Sequence, residues 1–340
     1  MKTVVIPVDP GAPSASALAE AARVLRGGGL VAFPTETVYG LGANALDTSA
    51  VARIFAAKGR PANNPLIVHI SDMTQVQQVA AEWPPSAARL AERFWPGPLT
   101  LVLPKRDTVP DIVTAQGPTV AVRVPAHPIA QALIRTTGLP IAAPSANRST
   151  ELSPTRAEHV LRGLEARIEM VLDGGPTTGG IESTVLDLTT TPPRLLRPGL
   201  IRVAELESVI GPVTQVRSLP IAAQDGPQPL PSPGMLPRHY APRTPLECVK
   251  AGRELERLAQ LLAEKRRVGW VAFADRGEVI IPSGVHLRVL PSDTVGYAAH
   301  LYAVLHELDA AGLDRLLVTL PPDSDEWLAV RDRLRRAAAI

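Results

Sequence analysis

The chain has 340 residues, of which 45% are hydrophobic and 20% charged, with a formal net charge of +2. That length exceeds one typical core and predicts two domains, and near-neutral charge excludes the global basic field of a nucleic-acid carrier. A single cysteine, Cys248, excludes an intrachain disulfide or a CxxC metal site, and 4% aromatics is poor material for stacking single-stranded bases.

Taken in chain order, Met1–Pro7 is too short and too soon broken by proline to be a signal peptide. No apolar run reaches the roughly 18 residues of a membrane helix, so no membrane partner is expected. Scarce cysteine fits the reducing cytoplasm, which is the expected location. Ser16–Leu25 reads as a helix of small apolar residues, stopped by Gly27-Gly28-Gly29. Leu30–Phe33 reads as a strand ended by Pro34, and the stretch from Thr35 to Gly42 as a polar turn. Thr48–Lys58 reads as a helix that delivers Lys58-Gly59-Arg60-Pro61. Asn64-Pro65 then leads into the strand Leu66–Ile70, which carries His69. Further strands are predicted at Leu99–Leu103, Val120–Val124, Pro140–Ala142, Met170–Leu172, Thr184–Leu188 and Arg194–Leu196. Helices are predicted at Met73–Ala81, Ser86–Phe94, Pro128–Thr136, Thr155–Leu161 and Val203–Ile210. Strands outnumber helices without strict alternation, which predicts an α+β or mixed-sheet α/β domain over residues 1–212.

Residues 213–245 change character. Eight prolines between Pro220 and Pro245 exclude a helix or central strand and predict a semi-rigid linker. A passive spacer is the plainer reading, but Arg238, His239 and Tyr240 side by side on a stiffened backbone argue for a lid. Residues 246–340 alternate apolar strands (Leu246–Lys250, Val268–Phe273, Val285–Val289, Arg315–Thr319) with helices (Glu254–Lys265, Val295–Ala311, Asp325–Ala339). That pattern predicts a small parallel three-layer domain.

The chain lacks a P-loop, a GxGxxG, an HExxH and a GxSxG, and its seven histidines show no metal-ligand spacing. No resident metal site is expected. Polar residues instead gather at element ends. Lys58 and Arg60 close a helix, where cations suit the dipole; fixed by the following Gly-Arg-Pro turn, they can also clamp a polyphosphate. Thr119, Ala121 and Arg123 share one strand face, with Val120, Val122 and Val124 on the core face. Arg123 is there either a solvated surface residue or a bidentate partner for a ligand carboxylate. Ala143 to Asn147 offers small residues and the Ser145/Asn147 donor–acceptor pair, or simply a Ser/Asx turn. The glycine-rich stretch Asp173–Val185 can present backbone N–H groups to an anion, or be a plain loop. Fixed cations and hydroxyls (Thr35, Thr37, Ser145, Ser183) appear without a nucleophile–base pair. That suits a reaction whose substrates supply the nucleophile, such as phosphoryl or nucleotidyl transfer.

Phe33–Gly42, Lys58-Gly59-Arg60-Pro61, Asn64-Pro65-Leu66, Pro144-Ser145-Ala146-Asn147 and Ser183-Thr184 with Arg197-Pro198-Gly199 closely resemble the YrdC/YwlC family of threonylcarbamoyl-AMP synthases. The motifs match in order across about 200 residues. The linker with His239-Tyr240 and the trailing α/β domain resemble the longer, two-domain form. The resemblance implies a twisted mixed-sheet YrdC-like domain with a concave positive cavity, followed by a smaller three-layer Rossmann-like domain. It implies a nucleotidyltransferase that turns L-threonine, bicarbonate and ATP into threonylcarbamoyl-AMP and pyrophosphate, for threonylcarbamoyladenosine at position 37 of ANN-decoding tRNAs. By motif position it implies that Lys58 and Arg60 are catalytic. With Asn64, Thr119, Ser145, Asn147, Ser153, Arg197 and Tyr240 they would hold ATP. Thr35 or Thr37, His69, Arg123, Ala143 and Ser183 would bind threonine. Mg²⁺ would travel with ATP, and a tRNA threonylcarbamoyl transferase complex would take the product. Two other readings are an RNA-binding module without chemistry and a carbamoyl-phosphate-using hydrogenase-maturation enzyme. Near-neutral charge weighs against the first, and one cysteine, where zinc-finger-like motifs are needed, against the second.

Overall fold

The computed structural model describes residues 2–215, 230, 232, 238–273 and 281–338. Most of the expected linker, apart from 213–215, 230, 232 and 238–245, lies outside the described residues. Among the described residues two sheets organise the chain.

The first sheet has eleven strands: β1 (Val4–Pro7), β2 (Val31–Pro34), β3 (Tyr39–Asn44), β4 (Ile67–His69), β5 (Leu99–Pro104), β6 (Thr119–Arg123), β7 (Ile141–Ala142), β8 (Met170–Asp173), β9 (Thr184–Asp187), β10 (Arg194–Arg197) and β11 (Thr214–Gln215). Their spatial order is β1-β8-β2-β3-β7-β4-β6-β5-β9-β10-β11, with parallel and antiparallel pairs mixed. Helices α1 (Ala15–Arg26), α2 (Thr48–Lys58), α3 (Met73–Val79), α4 (Pro85–Phe94), α5 (Pro128–Thr137), α6 (Ala157–Leu164) and α7 (Val203–Ile210) cover it. The period of two along a strand splits its side chains between layers. Val31 and Phe33 pack with α1 and α5, while Ala32 joins the larger core under α2 and α6.

The sheet differs from the sequence expectation on both sides of β2. The polar turn is only four residues long, and Tyr39–Asn44 is a strand antiparallel to β2. Its glycines conceal the strand signal but have a packing reason. A Cβ on Gly42 would lie 2.7 Å from Phe33 Cε1 and 2.9 Å from Ile141 Cγ2. Strand β1 is an unpredicted edge strand, largely exposed and so lacking an apolar run.

The second sheet is all parallel: β12 (Leu246–Val249), β13 (Val268–Phe273), β14 (Val285–Leu290) and β15 (Arg315–Thr319), in the order β12-β15-β13-β14. Trp270 and Leu317 face helix α8 (Glu254–Ala263). Val271, Leu316 and Val318 face helices α9 (Thr294–Asp309) and α10 (Leu328–Ala338). This is the expected three-layer unit. Its α9 presses on the first unit: a Cβ on Gly180 would lie 2.2 Å from the Ala298 carbonyl.

Candidate active site

Strand direction brings the polar residues together. Strands β4 and β6 run parallel, so His69 and Arg123 end side by side. Strand β5 returns antiparallel to β6 and β9 lies parallel to β5, which brings the residues just before β9 to the same edge. Strand β10 runs back along β9 and delivers Arg197 there. The hairpin turn between β2 and β3 reaches this edge through Arg123, which donates to Thr37 Oγ1 at 3.0 Å and pairs with Glu36 at 2.6 Å. From the other side, Asp47 caps α2, and Gly59, with φ of 63°, ends it in the left-handed conformation that turns Arg60 out of the helix.

A cavity lies at this convergence. All six residues expected to bind threonine line it: Thr35, Thr37, His69, Arg123, Ala143 and Ser183. Thr35 and Thr37 share a hydroxyl–hydroxyl bond of 2.8 Å, and Thr35 also donates to the Val38 carbonyl. Of the residues expected for ATP, Arg60, Ser145, Arg197 and Tyr240 line the cavity.

Lys58, Asn64, Thr119, Asn147 and Ser153 do not line it. Lys58 ends α2 as expected; it is only 2% exposed and its ammonium donates to the Ser145 and Asn147 carbonyls at 2.5 and 2.6 Å. It shapes the loop that carries Ser145. Asn64 plays a similar part for Arg60, accepting from it through its backbone and side-chain oxygens at 2.9 and 2.6 Å. Ser153 donates to Glu182, and Asn147 donates to the Arg148 and Glu151 carbonyls. Thr119 begins the strand that Arg123 ends, roughly 13 Å away at the usual strand rise.

Sequence reasoning passed over two carboxylates. Glu182 lines the cavity and Glu36 braces Arg123 behind it. Both sit inside motifs already singled out, flanked by Thr35/Thr37 and by Ser183. An acid flanked by hydroxyls beside fixed arginines was the available signal.

Three arginines line the cavity against one carboxylate, that of Glu182. Burial pulls Arg60 down to about 9, so it keeps its charge at neutral pH, and pulls Arg197 below its ordinary value. Among the described residues Arg60 donates only to neutral oxygens and meets no carboxylate. Burial, reinforced by Arg123, pulls His69 down to about 3. Burial and the nearby Arg60 and Lys58 hold His239 well below the usual histidine range. Both imidazoles are neutral, and their Nδ1 atoms make no hydrogen bond among the described residues. The site therefore offers positive charge, neutral acceptors and hydroxyls, with no activated side-chain nucleophile among the described residues. No three His, Cys, Asp or Glu side chains form a metal cluster among the described residues.

Comparison with known proteins completes the picture. The model of the Sua5, YciO and YrdC family, described as "Telomere recombination", matches residues 23–199. That of "Threonylcarbamoyl-AMP synthase, C-terminal domain" matches residues 201–339. A threonylcarbamoyl-AMP synthase of Pyrococcus abyssi is 47% identical over 94% of this chain and 93% of its own. One of Bacillus subtilis is 46% identical over 94% and 92%. The crystal structure of P. abyssi Sua5 complexed with L-threonine is 44% identical, with a TM-score of 0.91 over 99% of this chain and 98% of that one.

Proposed function

The chain belongs to the threonylcarbamoyl-AMP synthase family, and from that premise we propose that it condenses L-threonine, bicarbonate and ATP into threonylcarbamoyl-AMP, pyrophosphate and water. The observation that carries the proposal is a cavity that sets Arg123, among threonine hydroxyls, beside half-buried Arg60 and buried Arg197, with no nucleophile–base pair among the described residues that line it.

Arg123 receives the amino-acid carboxylate, because a guanidinium fork matches a carboxylate in geometry and charge. Neutral His69 accepts a hydrogen bond; pulled so far below the usual range, it is too weak a base to deprotonate an ammonium. The threonine amine attacks bicarbonate, water leaves, and the resulting carbamate oxygen attacks the α-phosphorus as pyrophosphate departs. The nucleophile is thus made from substrates, and the protein's contribution is orientation and charge stabilisation. Arg60 and Arg197 face the polyphosphate, and Ser145 completes that wall. Lys58, Asn64, Asn147 and Ser153 act through the groups they hold. Mg²⁺ enters as part of the MgATP substrate, neutralising phosphate charge. Tyr240 roofs the cavity and limits hydrolysis of the mixed anhydride.

In this reading the protein is a cytoplasmic nucleotidyltransferase, and a tRNA threonylcarbamoyl transferase complex consumes its product at tRNA position 37. No helix among the described residues is long and apolar enough to cross a membrane.

The test is pyrophosphate release from MgATP and bicarbonate, with and without L-threonine, with mass detection of the adenylate. Release that needs both threonine and bicarbonate supports the proposal. Folded protein that binds ATP yet shows no threonine-dependent release overturns it.

A further inference from the structure

Arg333 lies on α10, near the end of the chain, and its side chain is 0% exposed. Its Nε donates at 2.7 Å to Oε2 of Glu182, the carboxylate that lines the cavity. The same carboxylate accepts from Ser153 and, at 3.2 Å, from the Tyr302 hydroxyl on α9. The Arg333 guanidinium also sits 5.1 Å from the centre of the Tyr240 ring. One turn further along α10, the Arg336 carbonyl accepts the His239 N–H at 3.2 Å.

Two features say that this arrangement serves more than cohesion. A buried ion pair is weak support for stability, since an apolar pair of similar size is commonly as good or better. Tyr240 also adopts a φ of +59°, a left-handed conformation that a bulky residue keeps only where its surroundings over-determine it. Part of those surroundings, the Arg333 guanidinium, Tyr302 and the Arg336 carbonyl, is supplied from the far end of the chain, beside the Thr150 carbonyl that accepts from Ala241.

We propose that Arg333 is a positioning residue of the reaction site: it fixes Glu182 and the His239–Tyr240 roof over the cavity. The C-terminal unit is then a working part of the site. The inference rests on the proposed reaction for its kinetic consequence, and on geometry alone for its structural one.

The experiment compares Arg333→Met, the conservative Arg333→Lys and the charge-balanced pair Arg333→Met/Glu182→Gln in the full chain. It reads hydrogen–deuterium exchange at residues 238–243, the Kd for MgATP and the steady-state constants. Arg333→Met is expected to raise exchange in this segment at least tenfold while β2 and β3 stay protected, and to raise the KM for ATP about tenfold. Arg333→Lys is expected to fall between. The charge-balanced pair is expected to regain thermal stability, because no buried charge is left unpaired, yet to keep the weakened ATP site and the exposed roof. Restoration of exchange and affinity together with stability would overturn the proposal, since Arg333 would then merely neutralise Glu182. Unchanged exchange in Arg333→Met and Arg333→Lys would overturn it too. Exchange needs no turnover, so a wild-type protein that makes no adenylate would sink the reaction while leaving this question decided.

Discussion

Replacing Arg123 by Met tests the amino-acid half of the site most directly. The residue is 3% exposed, and its guanidinium donates to the Gly97 carbonyl at 3.1 Å, Thr37 Oγ1 at 3.0 Å and Glu36 at 2.6 Å. A carboxylate held bidentately by this group makes two charge-assisted bonds, each worth about 1.5–3 kcal/mol. Losing both should cost roughly 3–6 kcal/mol, or at least about a hundred-fold in affinity. The same change leaves Glu36, whose side chain is 14% exposed, with only the Ala126 N–H, so stability should also fall by about 2 kcal/mol. Calorimetric titration with L-threonine and with MgATP, each alone, separates the two effects. Threonine affinity should collapse while the Kd for MgATP moves less than threefold. Arg123→Lys should recover stability more than affinity, because an ammonium keeps the charge but not the fork. A folded Arg123→Met protein that binds threonine within threefold of wild type would refute the assignment. Equal loss of both ligands would show that the cavity had collapsed instead.

Three further outcomes are expected. Gly42→Ala should destabilise by about 1–3 kcal/mol, seen as a lower denaturation midpoint, because its methyl would press on Phe33 and Ile141; a neutral result would contradict the close hairpin packing. Lys58→Met should reduce activity and loosen the loop from Ser145 to Asn147 in hydrogen exchange; loss of activity with that loop unaltered would point to direct phosphate contact instead. The rings of His159 and His306 stack at 3.9 Å, and burial pulls them down to about 3 and about 4. The unfolded chain then takes up protons from about pH 6.5 downward that the folded chain refuses, so stability is full above pH 6.5. It should fall by on the order of 2 kcal/mol for each of these histidines by pH 5. Denaturant midpoints across that range should show the slope, to which buried His69 and His239 also contribute, and His159→Phe should remove one histidine's share of it.

Much of this architecture was readable from residue order, and the failures have physical causes. The C-terminal strands announced themselves because a parallel sheet buried on both faces demands continuous apolar runs such as Val268–Phe273. The motif residues at strand ends also line one cavity, since strand ends are where a sheet exposes side chains without surrendering its ladder. The strand Tyr39–Asn44 was hidden because its two glycines, chosen by close packing, carry no β preference. The burial of Lys58 was not legible because a helix terminus tells nothing of burial; only the fold shows the Ser145–Asn147 loop closing over its ammonium. Glu182 and Arg333 stand 151 residues apart, and no local pattern links a cavity carboxylate to a cation on the last helix.

The seating of β8 between β1 and β2 has a consequence for biosynthesis. As the chain leaves the ribosome, the first two strands emerge early, but neither can pair with the other. The place between them belongs to Met170–Asp173, which arrives more than a hundred residues later. Until then both strands carry open backbone edges, the kind of surface on which nascent chains pair wrongly. Strand β1 is short and largely exposed, so it offers a stray partner little apolar reward while it waits. The face of β2 that carries Val31 and Phe33 is covered by α1, which connects the two strands, but the backbone edge of β2 waits for β8. A stalled or truncated chain ending before Met170 should therefore be aggregation-prone even though it contains the hairpin, the threonines and Lys58.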